Sequence, residues 1–414
     1  MKRMVERCAG LDVHRDTVAA CVRRPGEDGE RREEVRTFGT TTRQLLALRD
    51  WLAGLGVTVV GLESTGVYWK PVYYILEDDF DTQLLNAQHL HHVPGRKTDV
   101  ADAAWICELV EFGLVRPSFV PPRPIRQLRD LTRYRKSVIE ERTREVQRLH
   151  KVLEDAGIKL SSFTSRVLTV SGRAMLDALV TGRRDPAALA ELAKGRMRSK
   201  IPQLREALEG RFDDHHALIV AEMLARVDHA DATIVRLGER IDELICPFAA
   251  DVELLCTIPG VDRRTAQVML AEIGADMSRF PSAAHLASWA GMCPGNNESA
   301  GRHHSGKARK GSKWLRKALV EAAHAAARSK GSYLSAHYHR IRGRRGPNKA
   351  AVAVGHSILV IAYHLLQRRE PYSDLGADYF VERQSKESYR RRLVRQLERM
   401  GHKVTLEPLP HVAA

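Results

Sequence analysis

The stretch Cys8-Ala-Gly-Leu-Asp-Val-His14 is a short apolar run that ends with a single carboxylate, Asp12. The same arrangement recurs in Val59-Val-Gly-Leu-Glu-Ser-Thr-Gly66, where Glu63 follows the apolar residues. Each acid stands where the carboxyl end of a buried strand is expected. A third segment, Lys97-Thr-Asp-Val-Ala-Asp-Ala103, carries Asp99 and Asp102 three residues apart. On a helix that spacing sets both carboxylates on one face, so three segments can bring four negative groups together. Four clustered carboxylates repel one another and need divalent metal to stay ionised, and an all-oxygen set suits Mg²⁺ or Mn²⁺. Metals bridged by carboxylates clamp the attacking and leaving oxygens of a phosphodiester, so the pattern reads as phosphoryl transfer on nucleic acid.

Outward from these strands, residues 6 to 120 alternate between the two periodicities. Cys8 to Val13, Thr17 to Arg23 and Glu34 to Phe38 read as three strands, the first two joined by His14-Arg15-Asp16. A helix is expected from Thr42 to Leu55, a strand from Val57 to Leu62, a helix from Val67 to Glu77 and a strand from Thr82 to Asn86. A further helix opens at Thr98 or Asp99. Three antiparallel strands followed by alternating strands and helices, with acids at strand ends, is the layout of a ribonuclease-H-like α/β domain. Phe119-Val-Pro-Pro-Arg-Pro124 reads as the linker that closes it, since prolines cannot continue a helix.

The balance of charge agrees with a polyanionic partner: 66 Lys plus Arg against 51 Asp plus Glu give a net +15 and a pI near 9.7. With 414 residues and 43% hydrophobic content the chain can bury a core and divides into two or three domains, which excludes a disordered basic tail. Six scattered cysteines without a Cys-x-x-Cys pair point to neither a zinc site nor a disulfide framework. The opening Met-Lys-Arg-Met-Val-Glu-Arg has no apolar signal segment, and the most apolar stretch, Ala350 to Leu366, is short and broken by Gly355 and His356. A core helix and a cytoplasmic protein without a membrane partner are expected.

Residues 126 to 248 carry dense Arg and Glu, with Leu, Val or Ile at three- and four-residue steps. Arg126 to Ala156 and His215 to Ile245 read as two long helices, an antiparallel arm around a smaller helical insert. Their mixed charges leave two readings open, a dimerising helix pair or a nucleic-acid-binding arm. Further on, Ile258-Pro-Gly-Val261 before a helix from Arg263 to Ile273 has the form of a helix-hairpin-helix element, whose turn at Gly260 would offer backbone N–H groups to a phosphate. A plain core turn is the alternative. Between Glu298 and Lys349 there are 14 Lys or Arg and two acids, an excess of twelve, the footprint of phosphate-backbone contact. Arg302, Lys307, Arg309 and Lys310 are its candidates for such contact, and Lys97, beside Asp99, is a candidate for meeting the scissile phosphate.

Within this basic region Gly301 to Lys307 fits G-x-x-x-x-G-K, but Ala308 stands where a P-loop needs Ser or Thr and no apolar strand leads in, so a nucleotide-binding P-loop is rejected. What remains is a loop with Ser299 and Ser305 among basic side chains; a serine is a poor nucleophile unless a base or metal activates it. His89, His91 and His92 suit a polar loop or strand better than a metal site, and Tyr68, Trp69 and Tyr73 read as packing beside Glu63.

Taken in order, Gly-Leu-Asp-Val-His, Leu-Glu-Ser-Thr-Gly, Arg-Lys-Thr-Asp-Val-Ala-Asp-Ala, Thr-Ile-Pro-Gly-Val and Cys-Pro-Gly-Asn-Asn-Glu-Ser-Ala-Gly resemble the DEDD transposases of the IS-one-ten class of insertion sequences, over residues 6 to 345. The resemblance implies a RuvC-like domain over 1–122 with Asp12, Glu63, Asp99 and Asp102 as its metal-binding tetrad. It further implies a coiled-coil arm over 123–250, a mainly helical transposase domain over 251–366 with Ser299 as nucleophile, and an extension over 367–414. By the same token the partners would be donor and target DNA and a structured bridge RNA. The protein would act as a dimer that pairs into a tetramer, and Ser299 would be esterified transiently to a DNA 5′-phosphate.

Three rivals use parts of the same pattern. A junction nuclease would use the tetrad with water and leave Ser299 idle. A non-catalytic nucleic-acid scaffold would have no need of acids at strand ends. An actin-like sugar kinase also opens on Gly-Leu-Asp-Val, yet the chain lacks that fold's glycine-rich phosphate loop.

Overall fold

The computed structural model describes residues 3–26, 30–63, 66–85, 99–164, 166–294, 298–299, 302–303, 311–382 and 386–406. The chain forms two compact units, Met1–Val120 and Pro121–Ala414.

The first unit is α/β. Strands β1 (Cys8–Val13), β2 (Thr17–Pro25) and β3 (Arg31–Gly39) lead to α1 (Thr42–Gly54), β4 (Val59–Glu63), α2 (Trp69–Leu76), β5 (Asp81–Leu85) and α3 (Asp99–Glu111). The sheet order is β3-β2-β1-β4-β5, with β1–β2 and β2–β3 antiparallel and β1–β4 and β4–β5 parallel. This topology fits the ribonuclease-H-like layout expected from the sequence. β3 is longer than hydropathy indicates, because polar residues that pair along β2 from Arg31 to Gly39 carry no apolar signal.

Alternation along the strands gives the sheet two different faces. Ala9, Leu11 and Val13 of β1 and Val60 and Leu62 of β4 pack under Leu45, Leu48 and Leu52 of α1 and Val72 and Leu76 of α2. Trp69 and Tyr73 lie against this core, edge to face at 5.7 Å, as packing residues. The opposite face, with Cys8 and Cys21, lies under Ala103, Ile106, Cys107 and Val110 of α3. Here contact is made by glycine: a Cβ on Gly10 would stand 2.2 Å from the Cys107 nitrogen and 2.3 Å from the Ala103 oxygen, and one on Gly61 2.5 Å from Val110 Cγ2. At its carboxyl end α3 is tied down by buried Glu111, ion-paired to Arg3 at 3.2 Å, Arg23 at 3.4 Å and Arg31 at 3.0 Å.

The second unit is helical. Its first helix, α4 (Arg123–Asp155), starts inside the proline-rich segment instead of after it: Pro124 occupies the first turn, where a missing N–H costs nothing. A set of short helices follows, α5 (Val170–Val180), α6 (Pro186–Ala190) and α7 (Ile201–Ala207), and then α8 (Asp214–Ile245). Asp155 of α4 meets His216 of α8 at 3.5 Å, and Arg142 of α4 holds Asp231 of α8 at 2.5 Å, so the two long helices run antiparallel. Leu149 and Leu153 from α4 and Val220 and Leu224 from α8 share a core with Met175, Leu176, Leu179 and Leu204 of the short helices.

The chain continues through α9 (Ala249–Cys256), α10 (Arg263–Ile273), α11 (Ala283–Trp289), the hairpin β6 (Glu298–Ser299) and β7 (Arg302–His303), α12 (Lys313–Ala326), α13 (Tyr333–Arg345), α14 (Pro347–Arg368), α15 (Tyr379–Glu382) and α16 (Lys386–Arg399). Among the described residues α14 alone is long and apolar enough to cross a membrane, and it buries Val354, Ile358, Leu359, Ala362 and Leu366 within the unit, as a core helix does. The segment after α14 is fastened back: Arg369 pairs with Asp251, and Asp374 accepts from the Tyr333 nitrogen at 2.8 Å.

Candidate active site

Asp12 and Glu63 are brought together by strand register. β1 and β4 run parallel with Gly10 opposite Gly61 and Leu11 opposite Leu62, so the next residues, Asp12 (last but one in β1) and Glu63 (last in β4), lie on adjacent strands about 4.8 Å apart. Alternation puts both on the face that Gly10 and Gly61 leave to α3. That helix runs antiparallel to β1, because Cys107 lies against Cys8, sulfur to sulfur 3.7 Å, while Ala103 lies against Gly10. Its first turn, which starts with Asp99 and includes Asp102, is thereby carried toward the Asp12 end of the strand. For Asp99 the description is of the backbone only. Among the described residues no three acidic, His or Cys side chains are arranged as a metal-binding group.

Asp12 is buried, 6% exposed. A carboxylate in that position needs partners, and one is His14: its Nε2 donates to Asp12 Oδ2 at 3.0 Å while nearly half of the His14 side chain remains in solvent. Sequence reading used His14 only as a turn residue. The available signal was its i, i+2 spacing from Asp12 at a strand end, where the two side chains leave the sheet on the same side.

Ser299 lies in a short antiparallel ladder with Arg302, and Glu298 pairs with His303, where a loop was expected. For Ser299 and Arg302 too the description is of the backbone. Lys97, Ser305, Lys307, Arg309, Lys310 and the histidines 89, 91 and 92 lie outside the described residues.

Gly260 has a packing reason for being glycine: its φ is +87°, and a Cβ there would stand 2.4 Å from the Ala322 oxygen and 2.5 Å from the Ala326 nitrogen of α12. The N-terminus of α10 beside it already has an acidic cap, since Asp262 accepts from the Thr265 nitrogen at 2.8 Å. Both observations favour the core-turn alternative over a phosphate-binding turn. Farther along α10, the fully buried Glu272 accepts from Arg133 Nε and the neighbouring terminal nitrogen at 2.7 and 2.8 Å and from Ser312 Oγ at 2.9 Å. This one carboxylate joins α4, α10 and the cap of α12.

Comparison with known proteins places these features in sequence families. A model described as a transposase matches residues 9–158, which include all four acids, and one described as the Transposase IS116/IS110/IS902 family matches residues 252–339, which include Ser299. The transposase for insertion sequence element IS1111A of Coxiella burnetii is 25% identical over 332 residues, 78% of this chain and 81% of that protein. The pilin gene-inverting protein of Moraxella bovis is 30% identical over 152 residues, 35% of this chain and 47% of that protein. An insertion element IS110 protein of Streptomyces coelicolor is 42% identical over 73 residues, 17% of this chain and 18% of that protein. With two family matches in the expected order and a relative spanning most of both chains, this chain belongs to the IS110 family of DEDD transposases, enzymes that cut and join DNA.

Proposed function

We propose that this transposase breaks and rejoins DNA through two centres: the acidic strand ends of the RuvC-like unit, and Ser299 in a C-terminal transposase domain over 251–366. The observation that carries the reading is the parallel register of β1 and β4, which sets Asp12 and Glu63 side by side on the face that receives the first turn of α3. Oxygen donors from two strand ends and one helix suit Mg²⁺ or Mn²⁺, with Asp12, Glu63, Asp99 and Asp102 as holders. When bound, the metal supplies charge stabilisation to the phosphodiester.

The chain's own part in the reaction is nucleophilic. The Ser299 oxygen attacks the scissile phosphorus and loses its proton, the P–O3′ bond breaks, and the 3′-oxygen takes up a proton; the DNA 5′-phosphate is now esterified to serine. A second 3′-hydroxyl then attacks this ester and Ser299 leaves, so no bond energy is lost to water. Arg302, Lys307, Arg309 and Lys310 hold the backbone around the serine, and Lys97 approaches the phosphate near Asp99. Donor and target are selected by a structured bridge RNA. The helix pair α4–α8 acts as a coiled arm through which dimers form and pair into tetramers, and residues 367–414 form an extension.

A suicide DNA substrate with the cognate RNA tests this. The expected product is protein covalently bound to a 5′-phosphate, visible as a shifted band on a denaturing gel, lost in Ser299→Ala and kept in Ser305→Ala. Cleavage by Ser299→Ala at the normal rate, with no adduct in either protein, would mean hydrolysis by water and overturn the serine mechanism.

A further inference from the structure

Within the helical unit, α4, α10 and α12 enclose a cavity of about 290 Å³. Its wall carries Arg133, Arg135, Lys136 and Arg264, with Asp262, Glu321 and the indole of Trp314. Several of these charges are already committed. Arg133 is taken by Glu272 at 2.7 Å, Lys136 Nζ by Glu321 at 2.7 Å, and Asp262 by the cap of α10. Arg135 and Arg264 have no carboxylate within ion-pair distance among the described residues.

Arg135 is the telling one. It is only 5% exposed, and its terminal nitrogen donates to Gln267 Oε1 at 2.9 Å, while Gln267 Nε2 donates onward to Asp242 at 2.8 Å. A neutral amide therefore orients the guanidinium without cancelling its charge. Burial and the nearby Arg264 charge push the Arg135 pKa down to about 10, against the opposing pull of Asp242 and Asp262. A buried charge without a direct ion pair is expensive, and an anion entering the cavity would relieve that cost. Trp314, on the same wall, has beside its ring Lys313 Nζ at 4.9 Å and Lys317 Nζ at 5.8 Å from the centroid, the latter also ion-paired to Glu140 at 2.8 Å. Aromatic surface interleaved with cations is the arrangement on which nucleic-acid bases stack while their phosphates are neutralised.

We infer that this cavity binds one unstacked nucleotide of a single-stranded nucleic acid, its phosphate on Arg135 and Arg264 and its base on Trp314. The volume lies just below the range of roughly 300–1,000 Å³ usual for small-ligand sites, which suits one nucleotide and no more. None of the residues assigned to strand cleavage takes part, so the inference goes beyond the proposed mechanism.

The test uses the full chain and short single strands of one sequence, as RNA and as DNA, each with one 5-iodouracil. Arg264→Gln and Trp314→Leu are each expected to weaken single-strand binding about tenfold in anisotropy titrations, a size typical of losing one stacked base or its phosphate contact. Both should leave circular dichroism unchanged, a control that buried Arg135→Gln does not guarantee. Irradiation should crosslink the iodouracil to the peptide carrying Trp314, and the strand that binds tighter identifies RNA or DNA as the source. Affinities within twofold of wild type for both variants would overturn the assignment, as would inorganic phosphate competing as well as uridine monophosphate.

Discussion

His14 Nε2 lies 3.0 Å from Oδ2 of Asp12, so the buried acid at the end of β1 is oriented by an imidazole two residues on that is itself half in solvent. This contact helps fix which way the carboxylate points.

If Asp12, Glu63, Asp99 and Asp102 hold metal, replacing any one by Asn or Gln should abolish strand cleavage in Mg²⁺ and leave RNA binding nearly intact. His14→Ala should be milder, about 10- to 100-fold in cleavage or in the Mg²⁺ concentration required, as for other partners of metal ligands. Cleavage rates measured across a Mg²⁺ titration decide it, and a wild-type curve for His14→Ala would remove the imidazole from the site.

Gly10→Ala should disturb the same site from beneath. The added methyl would press on the Cys107 nitrogen and the Ala103 oxygen, backbone atoms that cannot swing away. A loss of about 1–3 kcal/mol is expected, with α3 displaced and cleavage reduced more than nucleic-acid binding. Urea unfolding beside a cleavage assay is the check; unchanged stability would show that α3 moves without cost.

Glu272→Gln keeps the shape of the side chain and removes the charge that Arg133 and Arg129 surround. Breaking a buried pair in this way costs about 3–5 kcal/mol, and the lower end applies because Arg133 is a third exposed and regains some hydration. Urea midpoints of the full chain measure it, and a change under about 1 kcal/mol would contradict the account.

Neutralising Arg302, Lys307, Arg309 and Lys310 together should weaken DNA binding and flatten its salt dependence. With about 0.9 in log–log slope per phosphate contact, the four can account for a change of up to about 3.6. An unaltered slope would mean that these side chains do not touch the backbone; unaltered affinity with slower cleavage would assign them to the chemistry.

The elements of the first unit were legible because apolar runs and alternation mark β1, β4 and β5, and the acids that end β1 and β4 stood out against them. Register did the rest: Asp12 and Glu63 stand on neighbouring strands because β1 and β4 are parallel, which hydropathy indicates only through the helix between them. The start of α4 was misjudged because a proline in a first helical turn looks like a breaker in sequence. His14 was on view but had no role until the strand end was seen in three dimensions. The Arg135 cavity could not be read at all, since Arg135, Gln267 and Trp314 come from three helices more than a hundred residues apart at the extremes and carry no shared motif.

The two faces of the five-stranded sheet differ in what they can forgive. Under α1 and α2 the contact is leucine and valine, which re-pack around a changed neighbour, so substitutions there alter how firmly the unit holds together more than where its parts lie. Under α3 the helix rests on bare main chain at Gly10, and nothing compressible lies between. Gly10 acts as a datum point: where the helix bearing Asp99 and Asp102 crosses it, main chain lies on main chain, while Ile106 and Val110 pack through side chains on the rest of the face. A substitution under α1 and α2 is therefore expected to leave the acids aligned, whereas one at Gly10 would shift the helix that carries two of them.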